Sequence, residues 1–220
     1  MKANSIKTVL FFCLILIELG CSKESLSPNG KQVTEVRSTA PFTAVSVSGS
    51  SQVTISYGEG FKVEVVGSDN LVTKFRTRVV NKELQLKYDD VNISKDDVHV
   101  NIQMPRLLGI RINGSSDMEI SGIFPLAETF SAVISGSGNI RLQSLMLADQ
   151  LIVELSGSGN ADLQKAVVDQ ADVVIAGSGN LRAAVNDHLK VKINGSGNVY
   201  YIGSPVLETS VTGAGKAIKL

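Results

Sequence analysis

Tryptophan is absent, histidine and cysteine occur twice each (His99, His188, Cys13, Cys21), and proline occurs five times in 220 residues. Aromatic residues make up only 5% of a chain that is 43% apolar, so a core has to be built from Val, Ile and Leu, the palette of a β-protein. Neither charge is in excess. The 21 basic side chains balance 21 acidic ones and form no basic stripe, which excludes nucleic acid as a partner. Neither histidine has a third ligand nearby in sequence, so no metal site is expected, and no other cofactor is implied. No serine sits in a Gly-x-Ser-x-Gly elbow or beside a base, and no Lys-Ser or Lys-Thr follows the glycines as a phosphate loop requires. No catalytic residue is predicted.

What the chain does have begins with an address. Lys2 and Lys7 precede Val9 to Ile17, nine apolar residues in a row, a length that suits an export signal and is too short to span a bilayer. The run closes with Glu18-Leu19-Gly20-Cys21, which resembles a bacterial lipoprotein signal, with a small residue before the cysteine that receives the lipid. Glu18 stands where that pattern has an aliphatic residue. Residues 1–20 are thus expected to be a signal peptide and Cys21 a lipidation site holding the protein to a membrane. Cys21 is the only cysteine after the signal, so no internal disulfide can form. Residues 21–33 are polar, with Pro28 and Asn29-Gly30 as breakers, and read as a flexible tether.

Repetition dominates the remainder. Gly-Ser-Gly-Asn starts at Gly136, Gly157, Gly177 and Gly195, with spacings of 21, 20 and 18 residues. Gly114-Ser-Ser-Asp117 and Gly213-Ala-Gly-Lys216 extend the series on either side, and Gly49-Ser-Ser-Gln52 is an outlier 65 residues upstream of Gly114. Two, four and six residues before each motif the side chains are mostly apolar, as in Leu151/Val153/Leu155 and Leu189/Val191/Ile193. The same parity resumes after it, as in Ile140/Leu142. Each copy therefore reads as a strand, a bend and a second strand with one buried face. Such a unit buries that face only by stacking on its neighbours, which predicts an all-β fold, a parallel β-helix or solenoid over residues 107–220. Gly136, Gly138, Gly157, Gly159, Gly177, Gly179, Gly195 and Gly197 are then bend residues of inward parity, placed where a Cβ would crowd the interior. Asn139, Asn160, Asn180 and Asn198 have outward parity and form a candidate binding ladder.

Residues 34–106 read as an N-terminal β region: a leading strand, then an antiparallel meander of Val53 to Tyr57, Phe61 to Val65, Glu83 to Tyr88 and Val98 to Met104, with a helical turn over Leu71 to Phe75. Glu128, Asp149, Asp169 and Asp187 each lie eight residues before a motif glycine, so stacking would align them on one edge. Either a cation such as Ca²⁺ sits among them, or they are acidic residues at solvated turns. The Gly215 to Leu220 strand is an exposed edge open to self-association, with Lys216 and Lys219 as guards against it.

A leading strand ending in Ser48-Gly49-Ser50, the Tyr57-Gly-Glu-Gly60 turn, Asp69-Asn-Leu71, Glu83-Leu-Gln-Leu86, Met104-Pro105, the serial Gly-Ser-Gly-Asn coils and Tyr200-Tyr-Ile-Gly-Ser-Pro205 occur here in the order in which they occur in the head GIN domain family. The chain resembles that family over about residues 36–220. The resemblance implies a β-helical, non-enzymatic exported protein, an adhesin common as an envelope lipoprotein in Bacteroidetes; it brings no catalytic residue or ligand. Two functions fit: an outer-membrane lipoprotein acting as an adhesin or binding module for a glycan or protein, or a structural envelope scaffold. A polysaccharide-active β-helix enzyme is a third.

Overall fold

The computed structural model describes residues 25–89 and 91–220. The export signal and Cys21 lie outside them. In chain order the strands are β1 (Ser25–Leu26), β2 (Gln32–Arg37), β3 (Ala44–Gly49), β4 (Gln52–Tyr57), β5 (Lys62–Ser68), β6 (Phe75–Val80), β7 (Glu83–Tyr88), β8 (Asn92–Ile93), β9 (His99–Met104), β10 (Gly109–Gly114), β11 (Asp117–Ser121), β12 (Ala127–Gly136), β13 (Asn139–Leu142), β14 (Met146–Gly157), β15 (Asn160–Gly177), β16 (Leu181–Gly195), β17 (Asn198–Ile202), β18 (Val206–Gly213) and β19 (Lys216–Lys219). One helical turn, α1 (Asp69–Val72), stands between β5 and β6, starting two residues earlier than its sequence suggests.

The repeats stack as parallel coils. β10, β12, β14, β15, β16 and β18 follow one another along one side, and their motif glycines are in register: Gly114 opposite Gly136, Gly136 opposite Gly157, Gly157 opposite Gly177, Gly177 opposite Gly195, Gly195 opposite Gly213. The strands after the bend stack the same way along a second side. Burial shows a third side that two strands per repeat do not anticipate. Met146 and Ala148 are buried, Asp149 and Gln150 both face out, and Leu151 and Val153 are buried, so parity flips at a corner; it flips again at Gln164 and Lys165. Short runs such as Met146 to Ala148 and Ala166 to Val168 form that side.

The corners also absorb changes in coil length. Between β15 and β16 the offset drops from 20 residues (Leu163 opposite Ala183) to 17 (Val167 opposite Ala184) and recovers to 18 (Gln170 opposite His188), while the glycine bends stay aligned. A bulge at a solvated corner leaves a few backbone groups to water; a slip at the bend would break the stacking itself.

The N-terminal region departs from an antiparallel meander. Consecutive strands β4 and β5 do not pair. Instead β3 and β4 form a coil of their own, lying parallel to β10 and β11 with Gly49 opposite Gly114, so the distant Gly49 copy is the neighbour of the Gly114 copy in space. On its other side β7 and β9 stack in parallel on β3 and β4 as a further coil. Only the outermost pairings, β6 with β7, β5 with β9 and β2 with β5, are antiparallel. Alternation along a strand reports which face is buried but not which strand lies alongside, and so the sequence pattern was compatible with both arrangements.

This end of the stack is plugged. Leu71 and Val72 of α1 are fully buried, with Phe42 and Phe75 at 1% exposure, and ring pairs Phe42–Phe61 (5.0 Å) and Phe75–Tyr88 (4.9 Å) close over the core. Ser25 to Val33, expected as loose tether, lies against the same end. β1 pairs with β8, Asn29 donates to Asp69 (2.6 Å), Gly30 N–H donates to the Ser68 hydroxyl (3.0 Å), and Asp69 N–H donates to Lys31 C=O (2.9 Å). Polar, breaker-rich composition did not exclude docking, because these contacts are hydrogen bonds made by polar side chains and backbone groups rather than by apolar packing.

Candidate functional site

The bend is the element repeated most faithfully. Gly49, Gly114, Gly136, Gly157, Gly177, Gly195 and Gly213, first in each motif, have φ between +116° and +139°. The carbonyl of each such glycine from Gly114 to Gly195 accepts two N–H groups from the next coil; that of Gly136, for example, accepts from Ser158 (3.0 Å) and Gly159 (3.1 Å). A Cβ on Gly157 would collide with Gly136 O, and one on Gly159 with Gly138 O and, at 2.7 Å, with Ile134 Cγ2. At the first glycine the crowding therefore comes from the neighbouring coil's backbone, and at Gly138, Gly159 and Gly197 a buried isoleucine of the interior adds to it. Only the second glycine (Gly138, Gly159, Gly179, Gly197) is buried; the first sits at the rim with the following serine exposed.

The asparagine column is a ladder. Asn160 Nδ2 donates to Asn139 Oδ1 (3.1 Å), Asn180 Nδ2 to Asn160 Oδ1 (3.0 Å) and Asn198 Nδ2 to Asn180 Oδ1 (3.2 Å), and each Oδ1 accepts a backbone N–H of the next coil as well. The end rungs suit their places. Asp117, an acceptor only, takes both the side-chain (2.8 Å) and backbone (3.1 Å) N–H of Asn139, and Lys216, with no side-chain acceptor, closes the series through its backbone N–H to Asn198 Oδ1 (3.1 Å). Each Oδ1 thus serves the fold; each amide keeps one N–H for solvent or ligand.

Two residues beyond the ladder runs a column that sequence reasoning passed over: Thr54, Glu119, Arg141, Asp162, Arg182, Tyr200 and Ile218 face one another in register. Its outward period-two parity was readable, but the residue changes from each copy to the next and so does not register as a motif. Arg141 pairs with Glu119 at 3.4 Å, both well exposed, and Arg182 lies 5.7 Å from the Tyr200 ring centre. Two shallow troughs, sharing Asn160 and Asp162, lie between this column and the ladder. Guanidinium, carboxylate, amide and phenol groups thus share one flat face.

The acidic column is exposed. Glu128, Asp149 and Asp169 occupy corner positions flanked by paired residues, but the register shift brings Asn186 to Asp169 (Nδ2 to Oδ1, 3.3 Å) in place of Asp187. Among the described residues no three His, Cys, Asp or Glu side chains gather as a metal site. His99 is engaged by Thr54 (2.9 Å) and Gln52 (3.4 Å).

Two carboxylates outside any expected site organise the plugged end. Asp96 accepts from the Tyr88 and Ser51 hydroxyls, each at 2.5 Å, and from Val98 N–H (3.0 Å). Burial, then the Asp96 carboxylate, push the Tyr88 phenol well above its ordinary value. Burial raises Asp97, but donation from the Ser68 hydroxyl (2.6 Å), Ser68 N–H (3.1 Å) and the Gln32 amide (2.9 Å) outweighs it and holds that carboxyl below its usual range. Asp69 is lowered too, first by the Asn29 amide and then by Lys31 at 3.0 Å.

Residues 41–205 match the family described as "Putative auto-transporter adhesin, head GIN domain". The chain belongs to that family. The fold of this head GIN domain is shared with solved structures at low identity. A protein of Bacteroides fragilis described as a putative adhesin is 18% identical, with 89% of this chain and 100% of that one covered and a TM-score of 0.73. One from Parabacteroides distasonis, described as a putative lipid binding protein, is 18% identical over 90% of this chain and 100% of its own, with a TM-score of 0.63. Another, from Parabacteroides merdae and described as a putative adhesin, is 16% identical over 89% and 99%, with a TM-score of 0.61. No curated protein matches this head GIN domain.

Proposed function

We propose that this head GIN domain is a non-enzymatic binding module of the cell envelope, anchored through a lipid on Cys21, and that it meets its ligand with the flat face formed by the asparagine ladder and the Glu119, Arg141, Asp162, Arg182, Tyr200 column. The observation that carries the reading is a division of labour. The ladder's carbonyl oxygens are consumed by the stacking, whereas the adjacent column contributes charged groups and a phenol that stacking does not need. The adhesin description of the family supports it. Such a face offers both donors and acceptors at the coil spacing of about 4.8 Å, which fits an extended, hydroxyl-rich chain such as a glycan better than an apolar ligand.

The ladder also favours a second reading, a scaffold whose repetition serves only the fold, because its hydrogen bonds are fully explained by stacking. Binding of the purified protein to a glycan and matrix panel separates the two. Asp162→Ala with Arg182→Ala should abolish binding while leaving the thermal melt unchanged. Failure of the wild-type protein to bind any member, or binding untouched by this double variant, would reject the face.

A further inference from the structure

The two ends of the solenoid are finished differently. The N-terminal end is closed by α1, Phe42 and Phe75 and by antiparallel strands bearing Arg37, Arg76 and Arg78. At the other end, among the described residues, β18 pairs only with β16 and β19 only with β17. Every residue of β18 is exposed. Leu207 and Val211 lie in register with Leu189 and Ile193, which are at 1% and 0% exposure, yet are themselves 39% and 41% exposed; Val206 is 61% exposed. An inward-facing apolar column and an outer backbone edge are therefore both presented to solvent. Both are the surfaces that every preceding coil covers with the next one.

We propose that this end is a dimer interface, occupied by the same end of a second copy with β18 paired antiparallel to β18 across a two-fold axis. The argument is continuity: the interface extends one that the chain already makes between successive coils, with the same apolar columns and strand edge. A copy arriving by its N-terminal end would bring a plugged core with no open apolar column to receive Leu207 and Val211, which disfavours a filament. Joining like ends instead closes the assembly at two. The two-fold reverses strand order, so Lys216 and Lys219 do not face their own copies.

The test is sedimentation velocity of the full chain, produced with its own export signal and purified as the cell processes it, across a wide concentration series. The expected result is a species of twice the protomer mass that dissociates on dilution, and its loss at every concentration in the double variant Leu207→Lys with Val211→Lys. A wild-type protein that stays monomeric, one that grows beyond two copies, or a dimer that survives the variant, as association through a lipid would, overturns the proposal. Should the variant fail to fold, amide hydrogen exchange of the wild type decides: residues 206–213 gain protection with concentration if the proposal holds, and protection independent of concentration overturns it.

Discussion

At the residue scale, the glycines carry the account. Gly157 combines φ of +116° with a Cβ position blocked by Gly136 O, so Gly157→Val should cost about 3 kcal/mol or more and lower the melting temperature accordingly. An unchanged melt would mean that the bends do not stack as described. Ser116 fills the position that Gly138 and Gly159 fill in later copies, and its hydroxyl is fully buried without a partner among the described residues. Ser116→Ala keeps the Cβ and removes the orphaned group, and is expected to stabilise the protein by about 1 kcal/mol in denaturant titration. The ladder gives a contrast: Asn180→Asp should destabilise because Asn160 Oδ1 loses its side-chain donor, whereas Asp117→Asn, at the acceptor-only rung, should leave stability nearly unchanged. The sequence disclosed the need for glycine and the existence of the column; it could not disclose that the crowding partner is the preceding coil's carbonyl, because that contact exists only once the coils are stacked.

At the element scale, the plugged end is held by carboxylates rather than by apolar burial alone. Asp69 and Asp97 both titrate below the ordinary carboxylate range, so the stability they contribute is complete above about pH 4 and is lost as pH falls through their lower folded-state values. Protection of the amides over residues 31–37, taken against the intrinsic exchange rate at each pH, should therefore fall on acidification before that of the coil strands β14 to β16, and Asp97→Asn should flatten that dependence. Simultaneous loss of protection throughout would show that β2 is not a separable unit. Asp96 and Asp97 belong to no motif in the sequence. Their partners Ser51, Ser68, Tyr88 and Gln32 lie 8 to 65 residues away, a separation that no local pattern encodes. The coil strands were legible because their burial has period two; their partners were not, which is why β7 and β9 stack in parallel where a meander was expected.

At the scale of the whole molecule, one long stack presents three sides shaped by repetition and two unlike ends. Repetition keeps the columns in register over the coils from β10 to β19, so substitution along the Glu119 to Tyr200 column can alter a ligand without altering the fold, and a dimer through β18 would give each assembly two such faces. The repeated half of the fold was plain from Gly-Ser-Gly-Asn alone. The proposed binding face was not, since its column is the part that the repeat leaves free to vary. The measurement that tests the function most directly is protease accessibility of the protein on intact cells, with a periplasmic protein as internal control. Digestion with the control intact is the result predicted for an envelope module that meets its ligand outside the cell. Protection until the envelope is opened would contradict the binding role and leave the scaffold reading in its place.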